Sequence, residues 1–157
     1  MKLSKDPGAV ETIPLRLMIV AVVAALSVLP AAQALETLKT KEFLARAAQQ
    51  LDSIIEVAEV LSIEGPGSVR TLSLDFSSSG HLGLERLSIG GEAEDANSSS
   101  VVLELTNGGK LVRTLSHEEI PISASEGGPV VVWGARFDLR MSAEFEDGTI
   151  WILAEVL

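Results

Sequence analysis

Few residues in this chain are of types that do chemistry, and their spacing limits what that chemistry can be. His81 and His117 are the only histidines, and neither stands at a metal-ligand spacing from a second donor. His117, Glu118 and Glu119 are adjacent but run straight towards Pro121, which reads as a solvated loop. Glu92, Glu94 and Asp95 lack the glycine and the ligand spacing of a calcium loop. The stretch Ser77–Gly80 has no nucleophile-elbow pattern, and no phosphate-binding loop is present. The absence of cysteine excludes a disulfide framework, a thiolate zinc site and a cysteine nucleophile. The residues therefore read as a non-enzymatic chain with no catalytic, cofactor-binding or metal-binding set.

Other spacings bear on chemistry done to the chain rather than by it. One open question is whether the chain is cut after Gly8, where the small Ala9 follows just ahead of an apolar run. A second candidate lies at Ala31–Ala34, which places small residues at the first and third positions before a cut after Ala34, as signal peptidase requires. A third outcome leaves the segment whole, as an anchor. Asn97-Ser98-Ser99 matches a glycosylation sequon on a polar loop and bears on the chain only if that loop is exported. Glu11 and Arg16 are charges beside an apolar core, where an ionised group is costly without a partner. Both suit the lipid headgroup level, with Arg16 snorkelling; if the chain builds a filament, Glu11 equally suits pairing with the free amine of a neighbouring subunit.

The elements that carry these residues follow from periodicity. Leu17–Leu29 is a run of 13 residues interrupted only by Ser27, and extended to Leu35 it reaches 19, enough to span a bilayer. Leu35, Leu38, Leu44, Ala48, Leu51, Ile54, Ile55, Ala58 and Leu61 then keep largely to helical spacing among polar residues. Two glycines and a proline in Glu64–Ser68 end that pattern. The simplest reading is one helix from about Pro14 to Ser62, about 70 Å long at roughly 1.5 Å per residue. Beyond Gly67 the period becomes two. Strands are expected at 68–76, 84–90, 100–106, 110–116 and 149–157, with 129–145 as one long strand or two broken near Gly134. Asn107-Gly108-Gly109 is a hairpin signal.

Charge divides the chain in the same place. It holds 22 acids and 12 bases, a formal net charge of −10. Residues 1–63 have 7 acids against 6 bases, whereas 64–157 have 15 against 6. An acidic head argues against a nucleic-acid partner, which needs a basic face to neutralise phosphates.

A charged leader (Lys2, Lys5, Asp6) ending at Gly8, a helix greasy and then amphipathic, and a β head beginning at Gly65–Phe76 together resemble an archaeal type IV pilin. The resemblance extends along the whole chain. It implies a prepilin-type peptidase cutting between Gly8 and Ala9, and Glu11 as the acidic residue near the new N-terminus. It further implies a subunit held in the membrane before assembly, then a helical homopolymer built through the N-terminal helix. The expected fold is α+β, with a long N-terminal hydrophobic and amphipathic helix followed by an antiparallel, sandwich-like all-β head. The expected divisions are a leader at 1–8, a helix at 9–62 and a head at 63–157. The expected function is a structural subunit of an extracellular filament. The alternative is a membrane-tethered or secreted β-sandwich that binds something outside the cell and forms no filament.

Overall fold

Two glycines and a proline stop one long helix, and eight strands follow it among the described residues. The computed structural model describes residues 8–78, 80–91, 98–116, 120–146 and 148–157, with the backbone alone at 8–14 and at 29. Helix α1 (Gly8–Glu64) begins several residues before the expected start and ends close to the expected end. At its C-terminus Gly65 adopts φ +85°, and its N–H donates to the Leu61 carbonyl at 2.9 Å. A side chain at that left-handed position would be strained, so glycine is what lets the chain leave the helix. The helix lies across two compact units, one ending at Leu38 and the other running Lys39–Leu157.

In the first unit every described side chain from Leu15 to Leu38 is exposed. Leu17, Met18, Val20, Leu26 and Val28 are each more than 60% exposed, so the apolar run has no cover of its own. This is a helix long and apolar enough to cross a membrane.

The second unit contains two four-stranded sheets. The strands are β1 (Val69–Asp75), β2 (Leu84–Ile89), β3 (Ser100–Leu105), β4 (Lys110–Thr114), β5 (Ile122–Ala124), β6 (Val130–Val132), β7 (Arg136–Glu146) and β8 (Thr149–Val156). The first sheet has the order β1-β7-β8-β5 and the second β4-β3-β2-β6. The fold is thus α+β with two largely antiparallel sheets, as the change of period implies. The stretch 129–145 resolves into two strands in different sheets, with Gly134 in the segment that crosses between them. Asn107 Oδ1 accepts the Gly109 N–H at 2.9 Å and closes the β3–β4 hairpin. Strand β5 is the element that periodicity does not reveal. Three residues after Pro121 are too few to show alternation, and β5 pairs with β8 in parallel, the one parallel pairing among the described strands.

Alternation sets the core. Leu139, Met141 and Ala143 of β7 point inward with Ile152 and Ala154 of β8, and meet Val101, Leu103 and Leu105 of β3 with Leu87 and Ile89 of β2. On the β5 side the sheets come close. A Cβ on Gly90, which has φ +68°, would lie 1.8 Å from the Ile122 carbonyl oxygen, so only glycine permits that approach.

The second half of α1 belongs to this core. Phe43, Ala47, Leu51, Ile54, Ala58 and Leu61 recur every three or four residues and are at most 2% exposed. Ile55 packs partly buried beside them. The helix-to-strand boundary follows Glu64, whereas the compact unit begins at Lys39. Burying four large apolar side chains contributes on the order of 10 kcal/mol. That is comparable to the whole net stability of an ordinary domain. A fragment 39–157 should therefore melt cooperatively with mixed helix and strand circular dichroism, whereas 63–157 should show no cooperative transition. A cooperative, strand-type melt from 63–157 would contradict this.

Candidate functional site

Polar side chains flank the buried stripe of α1, and each flank grips one sheet. On one side Gln50 and Arg46, a turn apart, face β1. Gln50 Nε2 donates to the Asp75 carbonyl at 2.6 Å, and Gln50 Oε1 accepts the Asp75 N–H at 2.7 Å. The amide thus mimics a neighbouring strand for one residue of β1, the outermost strand of the first sheet. Arg46 Nη2 donates to the Ser77 carbonyl at 2.9 Å. On the other side Asp52 and Glu59, two turns apart, face β4, the outermost strand of the second sheet. Arg113 Nε donates to Asp52 Oδ1 at 2.6 Å, and the Ser116 N–H donates to Glu59 Oε1 at 2.9 Å. The helix therefore bridges an edge of each sheet and shields groups that would otherwise template further pairing.

Asp75 is where these ties converge. Its carboxylate accepts the Ser77 N–H at 2.8 Å and Arg136 Nε at 3.1 Å. The bonds from Ser77, followed by Arg136, hold its carboxyl down at about 2, so it stays ionised through ordinary pH. At the far end Arg70 and Glu64 pair across the helix-to-strand turn. On the second sheet Lys110 and Arg86 both bond Glu104 and hold its carboxyl below the usual range.

The residues singled out in the sequence fall in three places. Gly8 and Ala9 open α1, and Glu11 lies in its first turns with its side chain outside the described residues. Arg16 is an exposed residue of the first unit. Asn97, His117, Glu118, Glu119 and the acids Glu92, Glu94 and Asp95 lie outside the described residues. His81 is an exposed turn residue whose carbonyl accepts the Thr106 hydroxyl at 3.4 Å. Among the described residues no group of three His, Asp or Glu side chains converges to hold a metal ion.

No protein family, curated protein or solved structure matches this chain. The functional argument therefore rests on its own geometry. The surface with unmet demands is the exposed apolar length of α1, while the clamp around Gln50, Asp52, Glu59 and Asp75 fixes the rest of that helix to the head. The apolar stripe was legible from Leu51 to Leu61, whereas ahead of it Phe43 and Ala47 are buried in place of the expected Leu44 and Ala48, which are half-buried. The clamp was not legible, because Gln50 and Asp52 read as ordinary polar positions until β1 and β4 are placed beside them.

Replacing Gln50 with Ala leaves the Asp75 N–H and carbonyl without that partner and should cost about 1–3 kcal/mol. Gln49→Ala, at an exposed position of the same helix, should stay within about 0.5 kcal/mol of wild type. Chemical denaturation followed by tryptophan fluorescence measures both. Equal midpoints for the two variants would show that the amide clamp contributes nothing.

Proposed function

We propose that this chain is a structural subunit of a type IV pilus-like filament, held in the membrane by its N-terminal helix before assembly. The observation that supports it is one helix with two burial demands. The stripe from Phe43 to Leu61 of α1 is covered within the head, while Leu15–Leu38 expose apolar side chains that nothing in their own unit covers. Lipid meets the second demand before assembly, and sister helices meet it in a filament core. A tether has no need of a helix so divided, since any apolar span joined to the head by a loop would serve.

In this reading a prepilin-type peptidase removes the leader by cutting between Gly8 and Ala9. Glu11 then pairs with the new amine of a neighbouring subunit, and Arg16 sits at the headgroup level or against a neighbour's acid. The β head faces solvent outside the cell, where its surplus of acids limits unspecific clumping. The partners are other copies of the chain, the membrane and the peptidase, and no nucleic acid is involved.

The test is Glu11→Ala in the native host. Wild-type cells should carry filaments of this protein by electron microscopy. The variant should lower their yield more than about tenfold, because a charge left unpaired in a low-dielectric bundle costs several kcal/mol. The thermal midpoint of the extracted subunit should not change, since Glu11 lies outside the unit that begins at Lys39. Normal filaments from the variant would refute the pairing. No filaments from exported, cleaved wild-type protein would leave the tethered binding module as the better reading.

A further inference from the structure

Hydrogen bonds gather three strand connections at one end of the head. Arg46 of α1 donates to the Ser77 carbonyl, in the β1–β2 connection, at 2.9 Å. The Phe76 N–H donates to the Ala135 carbonyl of the β6–β7 connection at 2.7 Å, and the Gly83 N–H donates to the Thr106 hydroxyl beside the β3–β4 hairpin at 3.1 Å. This is the end at which α1 enters the head, because Arg46 lies about one turn past Phe43, the first buried residue of the stripe. Leu38, still exposed on the apolar length, precedes Phe43 by about 8 Å of helix at roughly 1.5 Å per residue. The polar layer of a bilayer has a similar depth, roughly 5–8 Å on each side of the hydrocarbon.

Charge sorts by the same end. Helix entry and strand register bring Lys39, Lys41, Arg46, Arg86, Lys110 and Arg136 towards it. The acids there are Glu42, Asp75, Glu85, Glu104 and Asp138, one fewer than the bases. Among the other described residues of the head, three bases stand against eight acids. The described surplus of acids therefore lies away from the entry of α1. Trp133 stands in the β6–β7 connection, 67% exposed, with the Arg86 guanidinium 5.9 Å from its ring centroid. Arg86 is paired with Glu104 at 2.8 Å, so the charge beside the ring is already balanced. An exposed indole has an apolar body and a polar N–H edge, which suits the boundary between acyl chains and headgroups.

We propose that this end of the head seats on the lipid headgroups of the membrane that holds α1, with Trp133 at headgroup level and the acid-rich remainder turned to solvent. Two observations favour lipid as the occupant. Helix α1 runs unbroken from its apolar length into this end, and the two are separated by no more than the depth of a headgroup layer. An anionic membrane surface repels the acid-rich part of the head over about a Debye length, ~8–10 Å, and leaves the balanced end free to approach. The inference rests on the membrane-held stage of the proposed subunit, and adds which face of the head meets the lipid before assembly.

Having only two tryptophans makes the contact readable by fluorescence. Trp151→Phe leaves Trp133 alone, and Trp133→Phe leaves Trp151 of β8 as the reference. Full-length protein is reconstituted in vesicles of phosphatidylcholine and phosphatidylglycerol in equal parts, with and without lipid brominated next to the headgroup. Trp133 should lose more than about half its emission to that lipid, because interfacial tryptophans lie at that depth, while Trp151 should keep at least about nine-tenths. Equal quenching of the two would show a head with no preferred face and overturn the proposal. Protection of Trp133 from bromolipid and from aqueous iodide alike would mean that protein covers it, and would overturn the proposal as well. Extraction at alkaline pH separates this contact from the reading beneath it. Protein retained in the vesicles with Trp133 unquenched overturns the seat and leaves the membrane span standing, whereas protein released from them overturns both.

Discussion

Burial of one stripe on α1 holds the head together. The two sheets approach each other on the side of β5, where Gly90 lets a strand pass against the Ile122 carbonyl. On the side of β1 and β4, the stripe from Phe43 to Leu61 supplies the packing instead, at most 2% exposed throughout. Without it Leu74, Phe76 and Leu115 would face water, along with the polar groups of two edge strands. The hydrogen bonds around the stripe orient the helix rather than drive its burial. Most join an exposed or half-exposed side chain to a strand edge, where one bond adds about 0.5–1.5 kcal/mol. The apolar stripe is worth several times that.

The two halves of the helix differ in their surroundings. Residues 15–38 are as apolar as a membrane span and expose their side chains, whereas residues from 43 onward are folded into a domain. The helical hydrogen bonds of α1 join these two environments without an intervening loop. The charge distribution fits the division. Every base from Arg70 to Arg140 in the head is paired with an acid, which leaves the surplus acids at the surface. A surface so charged resists unspecific contact.

Sequence alone revealed what periodicity and turn chemistry encode. The helix shows as a 3.6-residue repeat cut off by Gly65, Pro66 and Gly67, and the hairpin as Asn107-Gly108-Gly109 between two alternating runs. The break at Gly134 was visible as a weak point in a long strand, but that it sends β6 and β7 to different sheets is a tertiary fact. Strand β5 escaped because three residues carry no period. The clamp escaped because Gln50 meets Asp75 across 25 positions and Asp52 meets Arg113 across 61, pairings that depend on where the helix settles. Trp133 read as one of few aromatics, with nothing in its neighbours to show that it would stand outside the core beneath Arg86.

The central claim is that one helix serves two burials, its apolar half in lipid or among sister helices and its amphipathic half in the head. The mass of the intact mature protein, purified from its native host, tests this most directly. A chain beginning at Ala9 keeps both halves on one helix, as the account predicts. A chain beginning at Leu35 would lack the apolar half, leave a free secreted head, and contradict it.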